Sequence, residues 1–171
     1  MLDELLQKLN EPYTKEDLAI LEEQEKRLVF EHFTSQDAYL LGQYIIKNSE
    51  KYKEGIAFNI QRCSDQAIIF QYIDDNKAQR NINFAQMKRN TTLCTNHNSF
   101  WSLVKSSIDQ KVPLKEECLP VGGAYPIFVG NEMVATIALS GLHYGNDFRL
   151  LVESLAMYLE KKVPEFKKEI L

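Results

Sequence analysis

Cysteine and histidine are both scarce in this chain, with three of each among 171 residues. Cys63, Cys94 and Cys118 are odd in number and widely spaced, and thiols of a reducing compartment stay free, so no structural disulfide is expected. His32, His97 and His143 offer little to a metal, which takes three or four ligands in a closed geometry; Cys94 and His97 make a single Cys-x-x-His pair without further ligands, and no metal site is expected. Glycine and proline, seven and five residues, gather into no linker, and no repeat divides the chain. Long apolar runs are missing: Ile68-Ile69-Phe70 and Ile137-Ala138-Leu139 fall far short of the roughly 20 residues that span a bilayer. An excess of positive charge is missing too. The net charge of -4 argues against nucleic acid and anionic membrane, partners that reward a basic surface through counterion release. Met1-Leu2-Asp3-Glu4 has neither the basic start nor the apolar stretch of a signal peptide, which makes a cytoplasmic protein the expectation.

What is present is the balance of a globular protein, 44% apolar and 26% charged, at a length suited to one domain over residues 1–171. Leu2, Leu5, Leu6 and Leu9 mark a short amphipathic segment, and Asn10-Glu11-Pro12 sets residues 1–13 apart as a helical arm. Thr14 with Asp17 reads as a capping box opening a second helix. A first strand is expected over 28–33. A helix follows from Thr34-Ser35-Gln36-Asp37, then a hairpin in which Ile56, Phe58 and Ile60 alternate with Ala57, Asn59 and Gln61. Residues 76–92 have helical but polar periodicity, Ala78, Ile82 and Ala85 against Lys77, Arg80, Lys88 and Arg89, so one face is expected to reach solvent or a partner. A helix over 99–109, a second hairpin turning at Gly130-Asn131, and a long helix with Asp147 in its first turn complete the chain. Strands that come as hairpins predict an α+β fold: a five-stranded, mostly antiparallel sheet flanked by helices, a sandwich like profilin or sensor domains.

Three segments carry candidate chemistry. Gly122-Gly123-Ala124-Tyr125-Pro126 enters a strand; two glycines let backbone N–H groups approach either an anion or another stretch of backbone. Lys88-Arg89-Asn90-Thr91 offers two cations and an amide, able to grip a carboxylate or phosphate or to complement a helix C-terminus. Ser140-Gly141-Leu142 puts a hydroxyl at a strand end, as a ligand contact or as a turn serine. No P-loop, no Gly-x-Ser-x-Gly and no histidine–carboxylate spacing accompanies them. Asp74-Asp75 reads as a helix-start signal.

Asp75-Asn76, Lys88-Arg89-Asn90-Thr91, Gly122-Gly123-Ala124-Tyr125-Pro126-Ile127, and Ser140-Gly141-Leu142 followed by Asp147 together resemble the GlcG/HbpS-like family of haem-degrading domain proteins, in a branch shared by bacteria and yeasts. The resemblance implies an antiparallel sheet with flanking helices, symmetric homo-oligomers from dimers upward, and a possible haem or corrinoid cofactor. That branch usually carries Asp-His before the last helix, whereas Asp147 is followed here by Phe148; Phe84 is the nearest aromatic where a tryptophan is usual. The expected function is an oligomeric module holding a small anionic ligand or cofactor among Lys88, Arg89, Asn90, Gly122, Gly123, Tyr125, Ser140 and Gly141. A haem- or tetrapyrrole-acting enzyme and a protein-interaction scaffold are the alternatives, and no catalytic constellation decides for an enzyme.

Overall fold

Apolar alternation in the two hairpins builds the centre of the computed structural model, which describes residues 1–171. The elements run α1 (Leu2–Gln7), α2 (Lys15–Arg27), β1 (Val29–Phe30), α3 (Ser35–Ser49), β2 (Ala57–Arg62), β3 (Ile68–Ile73), α4 (Gln79–Thr95), α5 (Trp101–Ile108), β4 (Ala124–Val129), β5 (Glu132–Ser140) and α6 (Tyr144–Leu159). The strands form one open sheet in the order β1-β4-β5-β2-β3; β1 pairs parallel with β4, and the other pairings are antiparallel. This is the expected five-stranded, mostly antiparallel sheet with flanking helices.

The two faces of the sheet differ in kind. On one, Phe58, Ile60, Ile137 and Leu139 join Leu41 and Ile45 of α3 and Leu151 and Leu155 of α6 in the main core. Burial of such side chains contributes about 1.5–3 kcal/mol each, so this face carries most of the folding energy. On the other, α4 lies over β2, β4 and β5, where Ala85 packs on Ala124 and Ala138. The register sets Asn59 opposite Ala138 and Gln61 opposite Thr136, so this second layer is thin and polar.

Local signals place the helices. Thr14 and Asp17 form the expected capping box on α2, and Thr34 with Asp37 forms another on α3. α1 lies back along α5, with Leu5 buried and Asp3 paired to Lys111.

Two expectations are corrected. β1 is only two residues long, because Leu28 still caps α2 and Thr34 already opens α3. α4 begins and ends about one turn later than the polar periodicity indicated, so Lys88 and Arg89 lie inside the helix and not at its end. Ile82 and Ala85 face the sheet and Arg80 faces solvent, as expected, but Lys88 and Arg89 turn inward with the apolar pair: they are 1% and 3% exposed, while Phe84 and Leu93 are 49% and 40% exposed. The cause is the layer beneath. Small residues and oxygen acceptors on the sheet leave little depth for large apolar side chains but can satisfy donors.

Candidate functional site

Lys88 leaves the middle of α4 and reaches the first turn of α6. Its Nζ donates to Asp147 Oδ2 at 2.7 Å and to the Leu139 carbonyl at 3.0 Å, and lies 5.3 Å from the Tyr144 ring centroid. Asp147 Oδ1 accepts the Leu142 backbone N–H at 3.0 Å. Both charged side chains are almost wholly buried. Such a pair holds only where close contact and extra hydrogen bonds offset the desolvation of both ions, and this one has both. Burial still pushes the Asp147 carboxyl up to about 6, against the pull of Lys88.

The glycine pair makes room for that contact. A Cβ on Gly123, whose φ is +132°, would fall 2.6 Å from Lys88 Nζ and 2.5 Å from the Leu139 carbonyl oxygen; one on Gly122 would fall 2.3 Å from the Tyr144 carbonyl oxygen. The missing side chains are thus taken up by Lys88 and by the start of α6. Gly141 lies against the Gly55 carbonyl, and its own carbonyl accepts from Lys77 Nζ at 3.1 Å.

Arg89 is placed differently. It is as buried as Lys88, yet its Nε donates to Thr136 Oγ1 at 2.6 Å and no acidic side chain pairs with it. Burial lowers its pKa from the ordinary value, and the nearby titratable group is the Cys63 thiol, which burial keeps neutral. Cys63 in turn lines a cavity of about 380 Å³ shared with Arg62, Ser64, Glu132 and Val134. Nearby in the polar layer, the Oδ1 of Asn59, the Oε1 of Gln61 and the Oγ1 of Thr92 are buried without hydrogen-bond partners.

The remaining candidates are distributed around this layer. Asn90 Nδ2 donates to the Glu117 carbonyl at 3.0 Å, joining α4 to the loop before β4. Tyr125 is buried in the main core with its hydroxyl unpartnered, and Ser140 pairs with Ala57 at the end of β5. The Cys-x-x-His residues turn to separate partners: His97 Nδ1 lies 2.6 Å from Glu25 Oε2, and Cys118 Sγ lies 3.8 Å from Cys94 Sγ. Asp74 receives the Ile56 N–H and the Tyr72 hydroxyl, bracing the hairpin instead of capping α4. Sequence reasoning missed the pairing of Asp147 with Lys88 and the parts of Thr136 and Cys63 beside Arg89. A signal for the first was available, since an acid at a helix start and a lysine in a polar helix are complementary wherever the helix turns inward.

Breaking the buried pair by Asp147→Ala leaves Lys88 charged and alone, so a loss of about 3–5 kcal/mol is expected in urea unfolding, whereas Lys88→Met with Asp147→Leu recovers most of it. The pH dependence follows from the direction of the Asp147 shift. A folded pKa near 6, above the unfolded value, means that the folded state holds more protons between about pH 4 and 6. The contribution of Asp147 to stability therefore falls as pH rises through that window and is flat above it. Unfolding midpoints of wild type and Asp147→Asn across pH 4–8 should show this falling component in wild type alone; parallel curves would contradict it.

Residues 33–156 match the family model described as "Haem degrading protein HbpS-like". A UPF0303 protein of Streptomyces coelicolor is 31% identical over 155 residues, covering 85% of this chain and 96% of that relative. Among solved structures, the Ybr137w protein is similar at 28% identity and a TM-score of 0.72, covering 84% of this chain and 88% of that one. The PduOC:haem complex, at 11% identity and a TM-score of 0.53 over 72% of this chain and 93% of that one, shares the fold. With a family model spanning most of its length and relatives aligned nearly end to end, this chain belongs to the HbpS-like family.

Proposed function

We propose that the chain is a binding module for a small oxyanion, a carboxylate or phosphate, with Arg89 as its anchor. The observation that carries this reading is a buried guanidinium without a carboxylate. A buried, unpaired cation costs stability, and proteins keep such groups where a ligand supplies the missing charge. Four N–H donors of Arg89 remain for a planar, bidentate grip, and Cys63 connects this region to the adjoining cavity. Lys88, whose charge Asp147 answers, holds α4 in place beside the ligand.

Haem is the cofactor that the family description and the PduOC:haem complex bring forward. It needs an axial ligand facing an apolar slot. His32 is largely exposed near Asp37, His97 pairs with Glu25 and stacks on Trp101, and His143 caps α6 and lines a cavity of about 180 Å³. That cavity is below the roughly 300 Å³ at which small-molecule sites begin. Within one chain none of the three histidines meets this need, and no step is assigned to haem. The family's haem association leaves haem-related binding as the second reading, tested alongside the first.

Self-association is the other part of the reading. β3 is an edge strand of six residues, none buried, five of them apolar, without lysine or proline to block pairing. An unprotected apolar edge of this kind templates a second strand, and we propose that it pairs with another copy of the chain.

Thermal unfolding at constant ionic strength, with phosphate or citrate replacing chloride, tests the anchor. At about 100 times Kd the ligand adds about 2.7 kcal/mol, a rise of several degrees in Tm. Arg89→Gln should abolish the rise while matching or exceeding wild type without ligand, and Arg80→Gln, at an exposed position on the same helix, should keep it. An unchanged rise in Arg89→Gln refutes the assignment. Haemin binding to the same proteins, followed by its main absorption band and unaffected by Arg89→Gln, would favour the second reading. For the edge, the solution mass of Ile68→Lys should drop below that of wild type; equal masses, or a monomeric wild type, refute it.

A further inference from the structure

Cys94 and Cys118 are brought together from distant parts of the chain, and neither belongs to the proposed anion site. Cys94 is exposed on the last turn of α4, Cys118 is buried in the loop before β4, and the Cys118 S–H donates to Cys94 Sγ at 3.8 Å. The loop is already fastened to α4 on both sides of Cys118. Asn90 Nδ2 donates to the Glu117 carbonyl, and the Leu119 N–H donates to the Met87 carbonyl, each at 3.0 Å. A disulfide needs a sulfur separation of about 2.05 Å. The two sulfurs are already in contact, and the backbone on either side of Cys118 is held to α4. Cys63, by contrast, lies at the end of β2 beside Arg89, away from this pair.

We propose that Cys94 and Cys118 form a reversible dithiol–disulfide site that takes a low-molecular-weight disulfide as its oxidant. Cys94, the sulfur that solvent reaches, attacks as thiolate on one sulfur of the oxidant, forming a mixed disulfide and releasing one thiol. Cys118 then loses its proton to water and attacks Cys94 Sγ, and the second thiol leaves. Two protein thiols are oxidised to one disulfide while the external disulfide is reduced to two thiols, so no further reagent is needed. Burial, with the neighbouring Cys94 sulfur, holds the Cys118 thiol above its ordinary pKa, which fits its acting second. The product closes a loop between positions 24 residues apart that contains α5, and staples the end of α4 to the segment leading into Gly122-Gly123.

Oxidised glutathione added to the full-length protein, followed by alkylation of free thiols and peptide mapping without reduction, tests this site. A linked Cys94–Cys118 peptide is expected, with Cys63 alkylated and Tm raised by about 5–10 °C until dithiothreitol is added. Cys118→Ala should stop at a glutathione adduct on Cys94, and Cys94→Ser should leave Cys118 free. Three alkylated cysteines in wild type, a disulfide containing Cys63, or a lasting glutathione adduct on wild-type Cys94 would each overturn the proposal. The wild-type map decides the matter even if a variant fails to fold.

Discussion

The contact between Lys88 and Asp147 is the constraint around which the second face of the sheet is organised. It joins α4, on one side, to the first turn of α6, which packs on the other, past the end of β5. Because the pair is buried, its geometry cannot be loose: each hydrogen bond lost exposes one ion to an uncompensated desolvation cost. Gly122 and Gly123 follow from it, since any side chain there would meet α6 or the lysine itself. So does the inward turn of Lys88, which lies buried on the same side of α4 as Ile82 and Ala85 while Phe84 is left outside.

That inward turn sets the character of the layer. A helix usually hides its apolar stripe; this one buries a lysine and an arginine together with Ile82 and Ala85 over a floor of alanines, threonine and amides. Lys88 is answered by a carboxylate and Arg89 is not. The two adjacent cations thus show opposite solutions to the same burial, one structural and complete, the other open. Consistency across levels is the rule in folded proteins, and local breaches of it concentrate at functional sites. Arg89 is such a breach, which is why it and not the glycine pair anchors the functional reading.

The main core was legible because its signals are local. Phe58 and Ile60 alternate along one strand, the apolar stripe of α6 repeats at helical spacing, and Thr14 and Thr34 cap helices within three residues of their partners. The polar layer was legible only as a set of residues. Lys88, Arg89 and Gly122-Gly123 stood out as chemistry, but the sign of their burial depended on Asp147, 59 positions from Lys88, and on Thr136, 47 positions from Arg89. Ile82 and Ala85 turn inward as their apolar character indicated; Lys88 and Arg89, set against them by charge, lie on the same side because tertiary pairing and not polarity decides their burial. The shortness of β1 had a similar origin, because the cap of α2 at Leu28 and that of α3 at Thr34 leave only five residues between them.

The departure at Phe148 bears on what chemistry this fold can host. Where the resembling branch carries a histidine beside the aspartate, this chain has a phenylalanine packed edge-on against Phe100 and close to Phe166, 2% exposed. An imidazole placed in that aromatic cluster would need a hydrogen-bond partner, and desolvation would oppose its protonation. The chain instead keeps the aspartate, spends it on Lys88, and fills the neighbouring position with apolar bulk. Phe148 therefore offers no proton-transfer group at its own position, and the nearest histidine at this end of the sheet is His143, the N-cap of α6. The aspartate is thus committed to a structural contact with α4, and the position after it to the aromatic packing of α6 against Phe100 and Phe166.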